Sequence, residues 1–178
     1  MKKRDLFIVL LILMNVALII KNVVLSRNIR TLNTLSSSGI IFAPHFVLVD
    51  LNREVWSIER IVNSVRYTML VFFSPQDCPS CLLESSLWES IYKSQQVAVV
   101  GIAKHVDEKE LRLWVENARI TFPVLFDRDG EVTGLFQINK TPQKIVMDDT
   151  GRILLTDSVR IRQSEYKEFL QLLRKTIY

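Results

Sequence analysis

The sequence predicts an α/β domain on a central sheet, carried behind an N-terminal membrane helix. Three observations carry this reading. Residues 6–20 are apolar apart from Asn15. Two runs with the look of buried strands, residues 68–73 and 97–103, flank a stretch in which Leu83, Leu87 and Ile91 recur at helical intervals. The chain has only two cysteines, Cys78 and Cys81, and they stand where the first strand gives way to that helix. With 178 residues, 48% hydrophobic and 24% charged, the chain suits one globular domain plus an appendage.

The appendage comes first. Lys2, Lys3 and Arg4 precede the apolar run, which counted to Leu25 gives about 20 residues, enough to cross a bilayer if Lys21 snorkels to the interface. A buried core helix would show a polar face, and none exists between Leu6 and Ile20 except Asn15. No pattern of small residues suited to signal cleavage follows, so residues 1–25 are expected to be an uncleaved transmembrane signal anchor. Lys21, Arg27 and Arg30 match the basic residues on the other side, so charge alone does not orient the span. The short N-terminal tail and the cysteine pair favour a cytoplasmic N-terminus with the domain on the extracytoplasmic (periplasmic) side of the cytoplasmic membrane, where an oxidising compartment supplies disulfides to act on. The net charge of +4 sits largely beside the apolar run, a membrane signature and not a nucleic-acid footprint.

Residues 26–39 are polar with scattered leucines and end at Gly39, which reads as a linker. The domain is then expected over residues 40–178. Residues 46–50 and 54–57 flank Leu51-Asn52-Arg53 as a small hairpin, and residues 58–65 form a helical turn. The strand at 68–73, the helix opened by the cysteines and the strand at 97–103 make a parallel strand–helix–strand unit. Residues 107–119 place Leu111, Trp114, Val115 and Ala118 on one helical face, so Trp114 reads as core. A short strand at 122–126, a turn at 127–130 and a short helix at 131–136 follow. After Thr141-Pro142, residues 144–147 and 152–156 form an antiparallel hairpin. A final helix from about Ser164 buries Tyr166, Phe169, Leu170, Leu173 and Ile177.

Cys78-Pro79-Ser80-Cys81 is the motif with chemistry. At the opening of a helix, unpaired backbone N–H groups and the helix dipole favour a thiolate, which makes Cys78 the candidate exposed nucleophile. Cys81, one turn further in, is the candidate resolving thiol. A zinc half-site would need two further ligands at short spacing, and only the isolated His45 and His105 are present. A purely structural disulfide closing so short a loop constrains the unfolded chain little. No resident metal or cofactor is expected.

Ala43-Pro44-His45-Phe46, Val71-Phe72-Phe73-Ser74, Cys78-Pro79-Ser80-Cys81-Leu82-Leu83-Glu84, Thr141-Pro142 and Asp149-Thr150-Gly151-Arg152-Ile153 together resemble the TlpA/ResA-like thiol-disulfide oxidoreductases, over about residues 40–178. The resemblance implies a thioredoxin-like fold with an N-terminal β-hairpin extension and an inserted helix–strand segment. It implies exchange of disulfides in exported proteins and a membrane thiol-electron donor. It also implies a cis Thr141–Pro142 bond that presents the backbone of Thr141 to an extended substrate. Two positions depart from the family. Asp77 replaces the usual aromatic residue before the first cysteine, and its carboxylate would raise the Cys78 pKa. Phe72 replaces the usual buried polar residue. Glu84, three residues after Cys81 and found at this place in ResA-like members, is then the nearest carboxylate to accept the Cys81 proton, with Phe72, Leu83 and Trp88 expected to desolvate it. Two alternatives share parts of the pattern. A peroxiredoxin-like peroxidase shares Phe73-Ser74-Pro75 but needs a hydroxyl residue three positions before its cysteine, where this chain has Pro75 and Cys78. An envelope metal chaperone would pair the cysteines with His105.

Overall fold

The computed structural model describes residues 42–178 apart from Asp77 and Ile161, together with Met14, Asn15, Leu18 and Lys21, which are helical. Most of the apolar run 6–25, the linker 26–39 and Asp77 therefore lie outside the described residues. Among the described residues no helix is long and apolar enough to cross a membrane. The chain divides into two compact units, residues 1–37 and 38–178.

The second unit begins with a hairpin of β1 (Val47–Val49) and β2 (Val55–Ser57). Asp50 ties its turn, accepting from the backbone N–H groups of Asn52 at 2.8 Å and Glu54 at 2.9 Å and from the Trp56 indole at 3.3 Å. The Ser57 hydroxyl caps α1 (Ile58–Val62) by accepting from the Arg60 N–H. There follow β3 (Tyr67–Phe73), α2 (Pro79–Lys93), β4 (Ala98–Lys104), α3 (Glu108–Asn117), β5 (Val124–Asp127), α4 (Glu131–Leu135), β6 (Gln143–Asp148), β7 (Ile153–Asp157) and α5 (Gln163–Ile177). Strands β3 to β7 form one sheet in the order β5-β4-β3-β6-β7, with β3, β4 and β5 parallel and β6 and β7 antiparallel to their neighbours. This is a thioredoxin-like sheet. The hairpin β1–β2 stays outside it, and α3 and β5 form the helix–strand segment between β4 and β6.

Strand alternation divides the core in two. Met69, Val71 and Phe73 of β3 join Leu87, Trp88 and Ile91 of α2 and Phe169, Leu173 and Ile177 of α5. Leu70 and Phe72 turn to the other face, against Phe46, Ile58, Ile61 and Phe136. Trp114 stacks on Phe73 with ring centroids 4.6 Å apart, as core. Both central strands are apolar on each face because helices cover both sides of the sheet, as a strand–helix–strand topology requires.

Candidate active site

Strand β3 ends at Phe73 and the chain enters α2 at Cys78, the N-cap residue, with Pro79 in the first turn. Pro79 fits there because its missing N–H would have no helical partner. Cys78 and Cys81 are joined as a disulfide, with Cα atoms 5.3 Å apart, and the Cys81 N–H donates to the Cys78 carbonyl at 3.0 Å. Ser80 Oγ lies 3.5 Å from Cys78 Sγ. In this oxidised state Cys78 is 3% exposed and Cys81 fully buried, so the nucleophile expected at the surface is covered while disulfide-bonded. The Thr141–Pro142 bond is cis. Gln143 pairs with Phe72 across β3 and β6, which brings Thr141 and Pro142 to the end of the sheet from which β3 leads to Cys78.

Glu84 is fully buried on the inner face of α2, one turn beyond Cys81. Its Oε1 takes a 2.5 Å hydrogen bond from Lys144 Nζ, and its Oε2 takes one of 3.0 Å from the backbone N–H of Arg160. Burial pushes the Glu84 carboxyl above its ordinary value, and the Lys144 ammonium opposes that push. The surroundings differ from those expected. Phe72 belongs to the opposite core cluster, 5.0 Å from Phe136, and Leu83 is 59% exposed. The reason is the phase of the helix: Cys81, Glu84, Trp88 and Ile91 face inward, so a carboxylate takes the place that apolar spacing had assigned to a leucine.

Sequence reasoning missed three charged residues beside Glu84. Lys144 is fully buried and also donates to the Ser158 carbonyl at 2.6 Å. Its Nζ lies 3.2 Å from Asp157 Oδ2 and 5.1 Å from the Phe169 ring centre. Arg160 binds Asp157 through Nη2 at 2.6 Å, a hydrogen bond that raises the guanidinium pKa further. The signal available was a lysine inside a strand run, at a position whose alternation faces the core. His105, the histidine a metal chaperone would use, instead lies against Gly130: a Cβ there would come within 2.6 Å of its ring. Among the described residues no group of three or more His, Cys, Asp or Glu side chains is placed to hold a metal ion.

A thioredoxin-like sheet with a Cys-x-x-Cys disulfide at the start of a helix and a buried carboxylate one turn on defines a thiol–disulfide exchange protein. The chain belongs to the AhpC/TSA family, whose model matches residues 42–156. It is 26% identical over 135 residues to the thiol-disulfide oxidoreductase ResA of Halalkalibacterium halodurans, a match that covers 74% of this chain and 75% of that protein. ResA of Oceanobacillus iheyensis is 28% identical over 115 residues, covering 62% of this chain and 60% of that protein. The crystal structure of a putative thiol:disulfide interchange protein DsbE from Chlorobium tepidum shares the fold with a TM-score of 0.68 at 18% identity, over 78% of this chain and 96% of that one. Dithiol, fold and relatives agree on a thiol-disulfide oxidoreductase and disfavour the peroxidase alternative.

Proposed function

We propose that the chain exchanges disulfides with exported proteins, using Cys78 as nucleophile, Cys81 as resolving thiol and Glu84 as proton acceptor for Cys81. The observation that carries this reading is the redox-bonded pair at the N-terminus of α2 with a buried carboxylate one turn deeper. In the reducing direction, the Cys78 thiolate attacks one sulfur of a substrate disulfide and the other sulfur leaves as a thiolate. Cys81 gives its proton to Glu84 and attacks Cys78 Sγ, which breaks the mixed disulfide and releases the second substrate thiolate. Two electrons pass to the substrate, and the domain is left with the Cys78–Cys81 bond.

Thr141 and Pro142 belong to the substrate-binding edge in this reading. They lead into β6 at the end of the sheet from which β3 continues to Cys78, which supports a role for the Thr141 backbone in pairing with an extended peptide. Residues 6–25 would hold the domain 40–178 to the cytoplasmic membrane on its extracytoplasmic side, where a membrane thiol-electron donor can re-reduce it. The apolar run and its basic flanks support this placement. The test is insulin reduction by the intact chain with a dithiol donor, run beside peroxide consumption and copper binding. Insulin turnover that disappears in Cys78→Ala supports the reading; peroxide consumption without insulin turnover would replace it.

A further inference from the structure

Glu84 is faced from every element packed around it by groups that set its charge. Lys144 reaches it from β6, Asp157 lies behind Lys144 at the end of β7, and the Arg160 N–H approaches from the segment before α5. The Arg160 guanidinium also lies 3.5 Å from Glu168. Tyr166 of α5 donates its hydroxyl to the Leu83 carbonyl, and its own pKa is raised by burial and by the Glu84 charge. Cys81 stands one turn back on α2 itself. Strand geometry assembles this group. Lys144 shares a face with Val146 and Asp157 with Leu155, and Lys144 and Asp157 are direct partners across β6 and β7.

We propose that Lys144 is a positioning residue of the exchange reaction, its ammonium holding the Glu84 carboxylate ionised and in place beneath Cys81. The proposal rests on Glu84 being the proton acceptor and adds the group that makes it able to accept. The charges explain why. With Glu84 ionised, the charges of Lys144 and Arg160 are matched by those of Glu84 and Asp157, and the four sum to zero. When Cys81 gives its proton to Glu84, the group becomes positive by one charge as the sulfur becomes negative by one. The transfer therefore produces a pair of opposite charges in a medium of low dielectric, not an isolated buried anion. Cys81 then forms its bond to Cys78 Sγ, and the substrate sulfur leaves with the electron pair of the broken bond.

Asp157 does not need Lys144, because Arg160 already binds it through both carboxylate oxygens. The carboxylate that would lose its counter-charge is Glu84. Without the ammonium, burial and the Asp157 charge both push the Glu84 carboxyl up and only the Arg160 N–H opposes them, so less of it is ionised and able to accept a proton.

The experiment follows the two release phases of 5,5′-dithiobis(2-nitrobenzoate) reacting with the reduced, intact protein. The first phase reports attack by Cys78 and the second reports resolution by Cys81, each as a function of pH. In Lys144→Met the second phase should slow about tenfold at pH 7, with its acid limb moved up by about one pH unit, while the first phase stays near wild type. Lys144→Gln, which keeps a donor for the Ser158 carbonyl without the charge, should do the same and carries the test if the Met variant fails to fold. The double variant Glu84→Gln/Lys144→Met should be no slower than Glu84→Gln alone. An unmoved acid limb in both Lys144 variants, or a double variant slowed by the product of the single effects, would overturn the positioning role and leave Glu84 as acceptor. A Glu84→Gln protein that resolves as fast as wild type would overturn both.

Discussion

Glu84→Gln removes the proton acceptor while keeping the size of the side chain. Glutamine has the same length, and its carbonyl oxygen can still accept from the Arg160 N–H that now donates to Oε2 at 3.0 Å, but its amide NH2 is a donor and no longer accepts from Lys144. Lys144 keeps the Ser158 carbonyl at 2.6 Å and Asp157 at 3.2 Å, so no ammonium is stranded. Two opposing terms fix the stability change. A charge-assisted hydrogen bond worth about 1.5–3 kcal/mol is lost, while a carboxylate whose burial costs several kcal/mol is removed. The variant should therefore fold within about 2 kcal/mol of the parent, since these terms nearly cancel. Resolution of the mixed disulfide should slow about ten- to a hundredfold, or about 1.4–2.7 kcal/mol of barrier. The pH dependence of stability gives an independent reading. Because the folded-state pKa of Glu84 lies above its unfolded value, the folded protein binds the extra proton between the two. This group's contribution is thus greatest at low pH and is lost as pH rises from the unfolded value through the raised one. Glu84→Gln should flatten the stability curve over that window, read from urea midpoints at a series of pH values. Single-turnover release of the second thiol measures the rate. An unchanged pH–rate profile in a variant of intact stability would refute the proton-acceptor role.

Cys81→Ala should trap covalent adducts through Cys78 that appear on non-reducing gels and vanish with dithiothreitol; faster alkylation of Cys81 than of Cys78 in the reduced protein would reverse the assigned roles. Gly101→Ala should destabilise the domain by about 1–3 kcal/mol, the usual penalty for overpacking, measured by the urea midpoint. Its new Cβ would lie 3.1 Å from Phe73, 3.2 Å from Phe122 and 3.3 Å from Val124, all within one packed cluster, so a parent-like midpoint would mean that these side chains yield freely. Carbonate washing of membranes should leave the intact chain in the pellet, and a mature N-terminus between residues 20 and 40 would contradict the anchor over residues 6–25.

The fold was legible because its central strands are covered on both faces. Residues 68–73 and 97–103 form uninterrupted apolar runs for that reason, and the observed β3 and β4 differ from them by a residue at their ends. The hairpin turn at Leu51-Asn52-Arg53 was legible as a break between runs. Its fastening by Asp50 was not, because one carboxylate accepting from Asn52, Glu54 and Trp56 leaves no periodic trace. Apolar spacing misled at Leu83. Hydrophobic periodicity assumes that the inner face of a helix is apolar throughout, and α2 breaks the assumption at its functional end, where Glu84 points inward and Leu83 outward.

That break also shows which part of a site a single sequence conceals. Cys78 and Cys81 announce themselves because their chemistry requires a fixed short spacing on one element. Glu84 is legible at the next level, since helix geometry carries it onto the face of Cys81. Lys144 and Asp157 lie 60 and 73 residues from Glu84 along the chain, and only sheet register makes them its neighbours. A carboxylate with no exposed surface holds its charge only through partners, and here Lys144 and the Arg160 N–H favour the charge while Asp157 opposes it. A lysine in a central strand is therefore best read as a demand: some carboxylate of another element must meet it. In this chain the acid of α2 that meets Lys144 is Glu84, the one that stands a turn from the resolving cysteine.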